Sequence, residues 1–276
     1  MSRSGFRRFK FRLQTMMRAG PVGPIALAVF VGAAAAQPDD PVCLGSANQG
    51  NPDARGPVQE LMGDMEPVFR SFPQYRDLIS DQAVDICLSA SLRDAHGYFS
   101  PDQNRIVLQS DLPRPMRVAI LIHELRHLQQ YATGSCPTDS LAMTEVGRAT
   151  LALEADASAI SLFVAKAMSD AGHPEIWDAL SNWPTQADIA AAFAEELARS
   201  DDARLATTAA FAQWYESAWR RENYYRAACG AYLDRQDITK ALPRYDEVSG
   251  SFFEGLCRMP DGSPYECTEG SDIRGP

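Results

Sequence analysis

Apolar residues recur at helical spacing early in the chain and alternate further on. In "VQELMGDMEPVFR", Val58, Leu61, Met65 and Phe69 fall on one helical face, which predicts one or two short helices. "AVDICLSASL" is typical of a strand, and "HGYFSPDQNRIVLQSDL" predicts two strands joined by the turn "SPDQN". We therefore expect a small sheet that contains a hairpin.

The segments after the hairpin predict long helices. "PRPMRVAILIHELRHLQQYATG" opens with prolines and ends near Gly134, a length of about five turns, and its many apolar residues indicate a mostly buried helix. A second helix is expected from an N-cap at Thr138, Asp139 or Ser140 to a stop at Gly172. Helical periodicity then continues to about residue 235. The pattern predicts an α+β fold that is predominantly α-helical.

Residues 1–36 have the order of a secretory signal peptide. Basic residues come first, an apolar run follows, and the small side chains of Ala34 and Ala36 suit cleavage after Ala36. The alternative is an uncleaved N-terminal anchor, although the apolar run is short for a membrane span of about 20 residues. We expect a secreted, periplasmic protein that has no stable membrane insertion after cleavage.

The remaining chain divides by composition. Residues 37–57 are rich in Pro, Gly, Asn and Asp and predict a flexible linker. Residues 58–235 carry the periodic segments and predict one folded domain, and residues 236–276 predict a loop-rich tail.

The six cysteines all follow the predicted signal peptide. An even number of cysteines in a chain sent to an oxidising compartment indicates up to three disulfides. Cys257 and Cys267 flank a turn-rich segment and are the expected pair that ties the tail. No Cys-x-x-Cys spacing is present, so a cysteine-based zinc site or redox motif is not expected.

The net charge limits the partners. The chain carries −10 at pH 7, and the predicted signal peptide holds six basic and no acidic residues, so the mature chain would carry −16. Because binding to phosphates needs clustered Lys and Arg, nucleic acid is not expected as a partner.

The motif "HELRH" holds the candidate chemistry. His123 and His127 lie one helical turn apart on one face and could bind one metal ion, while Glu124 could take a proton from a water beside that ion. The alternative is a chance coincidence on a surface helix. That alternative is weaker because two histidines and a glutamate in an apolar helix are costly to bury without a partner.

A catalytic zinc site commonly needs a third protein ligand, and the next helix offers Glu145, Glu154 and Asp156. "HELRH" followed by "LEADASAISLF" resembles the gluzincin-type HExxH zinc metallopeptidases, and most of all an uncharacterised bacterial family of secreted metallopeptidases. The resemblance implies a zincin-like fold with Glu154 as the third zinc ligand. Asp156 remains open as an alternative ligand or as a residue that supports a histidine ligand.

The same resemblance bears on the predicted hairpin. It implies that an edge strand above the motif helix binds an extended peptide, and "RIVLQ" is the candidate, with a plain core strand as the alternative. Tyr215 or Tyr225, in an aromatic helical segment, is a candidate donor to the oxyanion, although such stripes are more often core. Arg126 departs from the pattern, because most zinc peptidases have an uncharged residue at this inner position.

The predicted function is a zinc-dependent metallopeptidase, a hydrolase whose substrate is a peptide or protein and whose general base is Glu124. The alternative is a non-catalytic envelope module that zinc stabilises, either for binding or for structure. An open three-ligand site would distinguish the enzyme from a structural site closed by four protein ligands.

Overall fold

The computed structural model describes residues 13–14, 41–44, 56–92, 95–138 and 140–270. The strands are β1 (Leu13–Gln14), β2 (Val42–Leu44), β3 (Asp85–Ser89), β4 (Gly97–Ser100) and β5 (Arg105–Gln109). The helices are α1 (Gly56–Asp64), α2 (Glu66–Ser71), α3 (Gln74–Asp81), α4 (Arg114–Ala132), α5 (Met143–Asp170), α6 (Glu175–Ser181), α7 (Ala187–Ser200), α8 (Ala203–Glu216), α9 (Ala218–Thr239) and α10 (Phe252–Leu256). The expected α+β class with a predominance of helix is confirmed.

The predicted hairpin is present, but its second strand lies inside the sheet. The strand order is β1-β4-β5-β3-β2, in which β4 and β5 are antiparallel and β3 and β5 are parallel. The turn reverses at Asn104, whose φ of 47° lies in the left-handed region that asparagine tolerates. The expectation that "RIVLQ" forms an edge strand is wrong, because β5 pairs on both sides, and β4 lies nearer the edge.

The first long helix, α4, matches its predicted bounds. It begins after Pro113, which has no backbone N–H to leave unsatisfied, and Gly134 follows it with a φ of 77°. Most of its residues are buried, as a helix that is apolar on several faces requires. It lies against the sheet, where Ile120 approaches Gly97 of β4.

The second long helix, α5, crosses the centre of the molecule and is buried along most of its length. Small side chains such as Ala155 and Ala159 let α4, α8 and α9 pack against it. It begins at Met143, later than the predicted N-cap at residues 138–140. The reason is a pairing between Leu141 and Asp246, which keeps the backbone extended just before the helix.

The predicted linker contains a strand. Val42–Leu44 pairs with β3, and Cys43 forms a disulfide with Cys87 of that strand. The pairing strand and the cross-linked cysteine lie far along the chain, with Cys43 and Cys87 separated by 44 positions, so local composition does not reveal this strand. The predicted signal peptide lies outside the described residues except for the backbone of Leu13–Gln14.

The expected disulfide between Cys257 and Cys267 is present in the C-terminal tail. Cys136 and Cys229 are free thiols, so two of the three allowed disulfides form among the described residues. No helix in the described part of the chain has the length and apolar character needed to cross a membrane.

Candidate metal centre

Helix α4 brings the two histidines of the motif together. Their Nε2 atoms lie 3.1 Å apart, as the one-turn spacing predicts, and their side chains are almost fully buried. Burial lowers the pKa of both His123 and His127 to about 4. Both rings are therefore neutral near pH 7, the form in which imidazole nitrogen binds a metal.

Helix α5 adds a carboxylate to the pair. Oε2 of Glu154 lies 3.5 Å from His123 Nε2, and Oε1 lies 3.5 Å from His127 Nε2. Burial raises the pKa of Glu154 to about 7, although His127 and Tyr224 act in the opposite direction. The three side chains form one buried group whose ligand atoms lie within 4.8 Å of one another.

The spacing of this group suits a metal ion. Ligand atoms that bind zinc tetrahedrally at about 2.0–2.1 Å lie roughly 3.3 Å from one another. The separations of 3.1, 3.5 and 3.5 Å are close to that value. Among the residues that the structure describes, no fourth His, Cys, Asp or Glu joins the group. The residues present therefore fit a three-ligand metal site.

Glu124 follows His123 directly in α4 and is fully buried. Its Oε1 would lie 3.3 Å from a Cβ at Gly97, and such a Cβ would also meet Ile120 Cγ2 at 2.6 Å. The absence of a side chain at Gly97 is what allows β4 to lie this close to the glutamate.

Asp156 does not join the metal group. Its carboxylate accepts hydrogen bonds from Arg126 at 2.6 and 2.8 Å, from Gln130 Nε2 at 2.7 Å and from the Tyr265 hydroxyl at 2.6 Å. Glu145, another candidate ligand, pairs with Arg148 and accepts a hydrogen bond from the backbone of Val248. Of the three acidic candidates, only Glu154 is brought to the histidines.

The unusual arginine of the motif has a structural explanation. Arg126 is 2% exposed and forms a two-point ion pair with Asp156. Burial acts to lower the pKa of Arg126, but the charge of Asp156, its hydrogen bond and the nearby Tyr265 and Tyr75 together raise that pKa above its usual value. The arginine therefore fills an inner position because α5 supplies its counter-charge two residues after Glu154.

One of the comparisons with known proteins identifies a family. A family model described as "Putative metallopeptidase family (DUF6782)" matches residues 34–267, which is most of the chain. The chain belongs to this family. No curated protein and no solved structure matches it. Membership confirms the resemblance to a metallopeptidase family, whereas the gluzincin type remains a prediction.

In this member of the DUF6782 family, Tyr224 lies near the metal group, and the sequence pattern did not indicate it. Tyr224 is buried, and its hydroxyl acts to lower the pKa of Glu154, which favours the ionised carboxylate. Tyr225 instead lies against Gly147, two helical turns before Glu154, and beside Cys229.

Tyr215, the other sequence candidate, packs among aromatic rings. It contacts Phe211 and Trp214, and burial raises the pKa of its hydroxyl. The aromatic stripe thus serves mainly as core. The tyrosine that acts on Glu154 is Tyr224, the residue before the candidate Tyr225.

Proposed function

We propose that the chain is a secreted zinc-dependent peptidase that hydrolyses peptide bonds. The observation that carries this proposal is the buried group of His123, His127 and Glu154, with ligand separations that suit tetrahedral zinc. Two imidazoles and a carboxylate are a donor set that zinc accepts, and three protein ligands leave room for water. Membership in the metallopeptidase family supports the same reaction class.

Zinc, when bound, supplies the Lewis acidity that makes a water molecule acidic near neutral pH and polarises a carbonyl oxygen. Glu124 takes the proton from the attacking water as its oxygen bonds to the peptide carbonyl carbon. The same carboxyl group then delivers that proton to the amide nitrogen as the C–N bond breaks. The position of Glu124, next to the first histidine and against β4, supports this role.

The substrate adds as an extended strand to the outer edge of β4. Leu13–Gln14 pairs antiparallel with Phe99 and Tyr98 at this edge. The backbone groups of β4 can therefore pair with an added peptide strand. Removal of residues 1–36 with the signal peptide would leave the edge free. Gly97, in the same strand, lies beside Glu124, and this closeness supports β4 as the strand on which a peptide would meet the proposed base.

The secreted, periplasmic location is part of the proposal. The order of basic and apolar residues before Gln37 supports a signal peptide. The disulfides Cys43–Cys87 and Cys257–Cys267 support an oxidising compartment.

A structural zinc site in a non-catalytic module is the second candidate. The complete burial of the group favours it, because His123, His127 and Glu154 are each at most 3% exposed. A structural site uses four protein ligands, however, and the group has three among the described residues.

The test compares processed wild type (residues 37–276) with Glu124→Gln, Glu154→Ala and the control Glu145→Gln. Zinc per molecule is measured by elemental mass spectrometry, and hydrolysis by mass spectrometry of a denatured protein mixture. We expect one zinc in wild type, Glu124→Gln and Glu145→Gln, and little in Glu154→Ala.

Only wild type and Glu145→Gln should hydrolyse peptides. Full activity in Glu124→Gln would contradict the proposed base. Zinc without activity in wild type, together with a large loss of thermal stability on chelation, would favour the structural candidate.

A further inference from the structure

The C-terminal loop, which we define as residues 256–267, reaches the helix that carries the histidines. The backbone carbonyl oxygens of Leu256 and Arg258 accept hydrogen bonds from Arg126 Nη2 at 2.8 and 2.9 Å. The Tyr265 hydroxyl donates to Asp156 Oδ1 at 2.6 Å. Three groups of the loop therefore hold both members of the buried ion pair.

The C-terminal loop is a closed unit. A disulfide joins Cys257, which follows Leu256 directly, to Cys267 at the other end. Within it, the Met259 N–H donates to the Ser263 carbonyl at 2.8 Å, and the Tyr265 N–H donates to the Cys257 carbonyl at 3.1 Å. The disulfide and these bonds hold together the three groups that contact the ion pair.

Asp156 connects the ion pair to a metal ligand through Gln130. Nε2 of Gln130 donates to the Leu153 carbonyl at 3.0 Å and to Asp156 Oδ2 at 2.7 Å, so both amide hydrogens are used. Its Oε1 must then be the atom that lies 2.8 Å from His127 Nδ1.

This arrangement decides the tautomer of His127. An amide oxygen only accepts hydrogen bonds, so Nδ1 carries the proton and donates it to Gln130. Nε2 is left with a lone pair that is directed at the metal group. The Asp156 carboxylate fixes the orientation of the Gln130 amide, and that amide fixes the tautomer of His127.

We propose that the C-terminal loop is part of the metal centre, and that Gln130 and Asp156 are the positioning residues through which it orients His127. This inference rests on the proposed metal site. It assigns a role to a segment that lies more than a hundred residues after the motif in sequence. Loss of such outer partners of a metal ligand commonly weakens metal affinity about 10–100-fold.

The first test compares two adjacent glutamines in the processed chain. Gln130→Met removes the amide that orients His127. The matched control Gln129→Met removes an amide that accepts from Arg126 but does not touch a histidine. Zinc affinity is measured by competition with a fluorescent chelator. We expect a loss of about 10–100-fold for Gln130→Met and a change within about twofold for the control.

The second test compares the two disulfides. Cys257→Ala/Cys267→Ala opens the C-terminal loop, and Cys43→Ala/Cys87→Ala opens the cross-link between β2 and β3. Both should lower the melting temperature of the metal-free protein, but only the first should weaken zinc binding. Tyr265→Phe, which removes one hydroxyl, should weaken zinc binding to a smaller degree without the loss of a cross-link.

The outcomes separate the inference from the proposed function. If Gln130→Met binds zinc with the same affinity as wild type, the inference is overturned and the proposed metal site is unaffected. Equal losses in the two glutamine variants, or in the two disulfide variants, would indicate general loosening and overturn it as well. Absence of zinc in wild type would overturn both proposals.

Discussion

Glu154 and Asp156 lie two residues apart on α5 and are equally buried, but their surroundings are opposite. Asp156 accepts four hydrogen bonds, two of them from the positive guanidinium of Arg126. Glu154 faces two histidines that burial keeps neutral, at 3.5 Å from each. The carboxylate of Asp156 has its counter-charge in Arg126, whereas that of Glu154 faces no charged partner among the described residues.

The difference shows how the fold separates a structural ion pair from a metal site. An ionised carboxylate in an apolar interior needs a positive partner or several hydrogen bonds. The protein supplies both at Asp156, whereas at Glu154 burial raises the pKa to about 7. A bound cation would provide the missing charge at Glu154, so this carboxylate is the one suited to be a ligand.

The largest expected effect is at the ion pair. Asp156→Asn leaves Arg126 buried without its counter-charge and should lower the free energy of unfolding by about 3–5 kcal/mol, with or without zinc. Urea denaturation measures the loss. The double variant Asp156→Leu/Arg126→Met removes both charges and should recover part of it, and no recovery would contradict the ion-pair explanation.

Replacement of the neighbouring acid, Glu154, by its amide should change the free energy of unfolding in the opposite direction. Glu154→Gln removes a carboxylate that is costly to ionise, so at pH 8 the metal-free protein should gain about 1–3 kcal/mol while zinc binding is lost. The measurement is urea denaturation in the presence of a chelator, beside a zinc titration. If Glu154→Gln is less stable without metal and still binds zinc, then Glu154 does not differ from Asp156 in the way described above.

A third buried acid, Glu124, lies against β4, and a substitution in that strand tests how closely β4 must approach it. Gly97→Ala places a Cβ 2.6 Å from Ile120 Cγ2 and 3.3 Å from Glu124 Oε1. The crowding should lower the free energy of unfolding by about 1–3 kcal/mol and reduce kcat more than zinc affinity. The control is Gly63→Ala in α1, where a Cβ meets no atom within 4 Å. An unchanged kcat in Gly97→Ala would show that the close approach of β4 does not affect the proposed base, Glu124.

The pH dependence of the metal-free protein combines contributions that partly cancel. His123 and His127 have folded-state pKa values of about 4, below the unfolded value of 6.5, so their contribution is lost as pH falls from about 6.5 to about 4. Glu154, whose pKa is raised from 4.5 to about 7, contributes stability at low pH that is lost as pH rises through that range.

The two histidines outnumber the one carboxylate, so the metal-free protein should become less stable as pH falls from 6.5 to 4. Glu154→Gln removes the opposing contribution and should make this dependence steeper. Thermal denaturation across the range, with a chelator present, measures both slopes. An unchanged slope in the variant would show that Glu154 does not titrate as described.

Several features of the site followed from local sequence alone. The bounds of α4 could be read from prolines at one end and Gly134 at the other, and the four-residue spacing placed His123 and His127 on one face. The choice between Glu154 and Asp156 could not be made in this way. Residues two apart differ by about 200° around a helix, but α5 is buried on most sides, so its hydrophobic pattern does not indicate its orientation.

The remaining features depend on contacts between distant segments. The parallel pairing of β3 with β5 makes β5 an inner strand, and local alternation carries no information about strand order. The helical stripe in α9 indicated a tyrosine, but only the packing of α9 on α5 places Tyr224 rather than Tyr225 beside Glu154.

The sequence by itself determined the helical class, the hairpin before α4, the paired histidines and the Cys257–Cys267 cross-link. Each of these depends on neighbours in the chain or on the chemistry of one residue type. The tertiary structure alone decided which carboxylate faces the histidines and why Arg126 is tolerated inside. Those outcomes depend on where α5 and the C-terminal loop dock, and docking places charges together that are far apart in sequence.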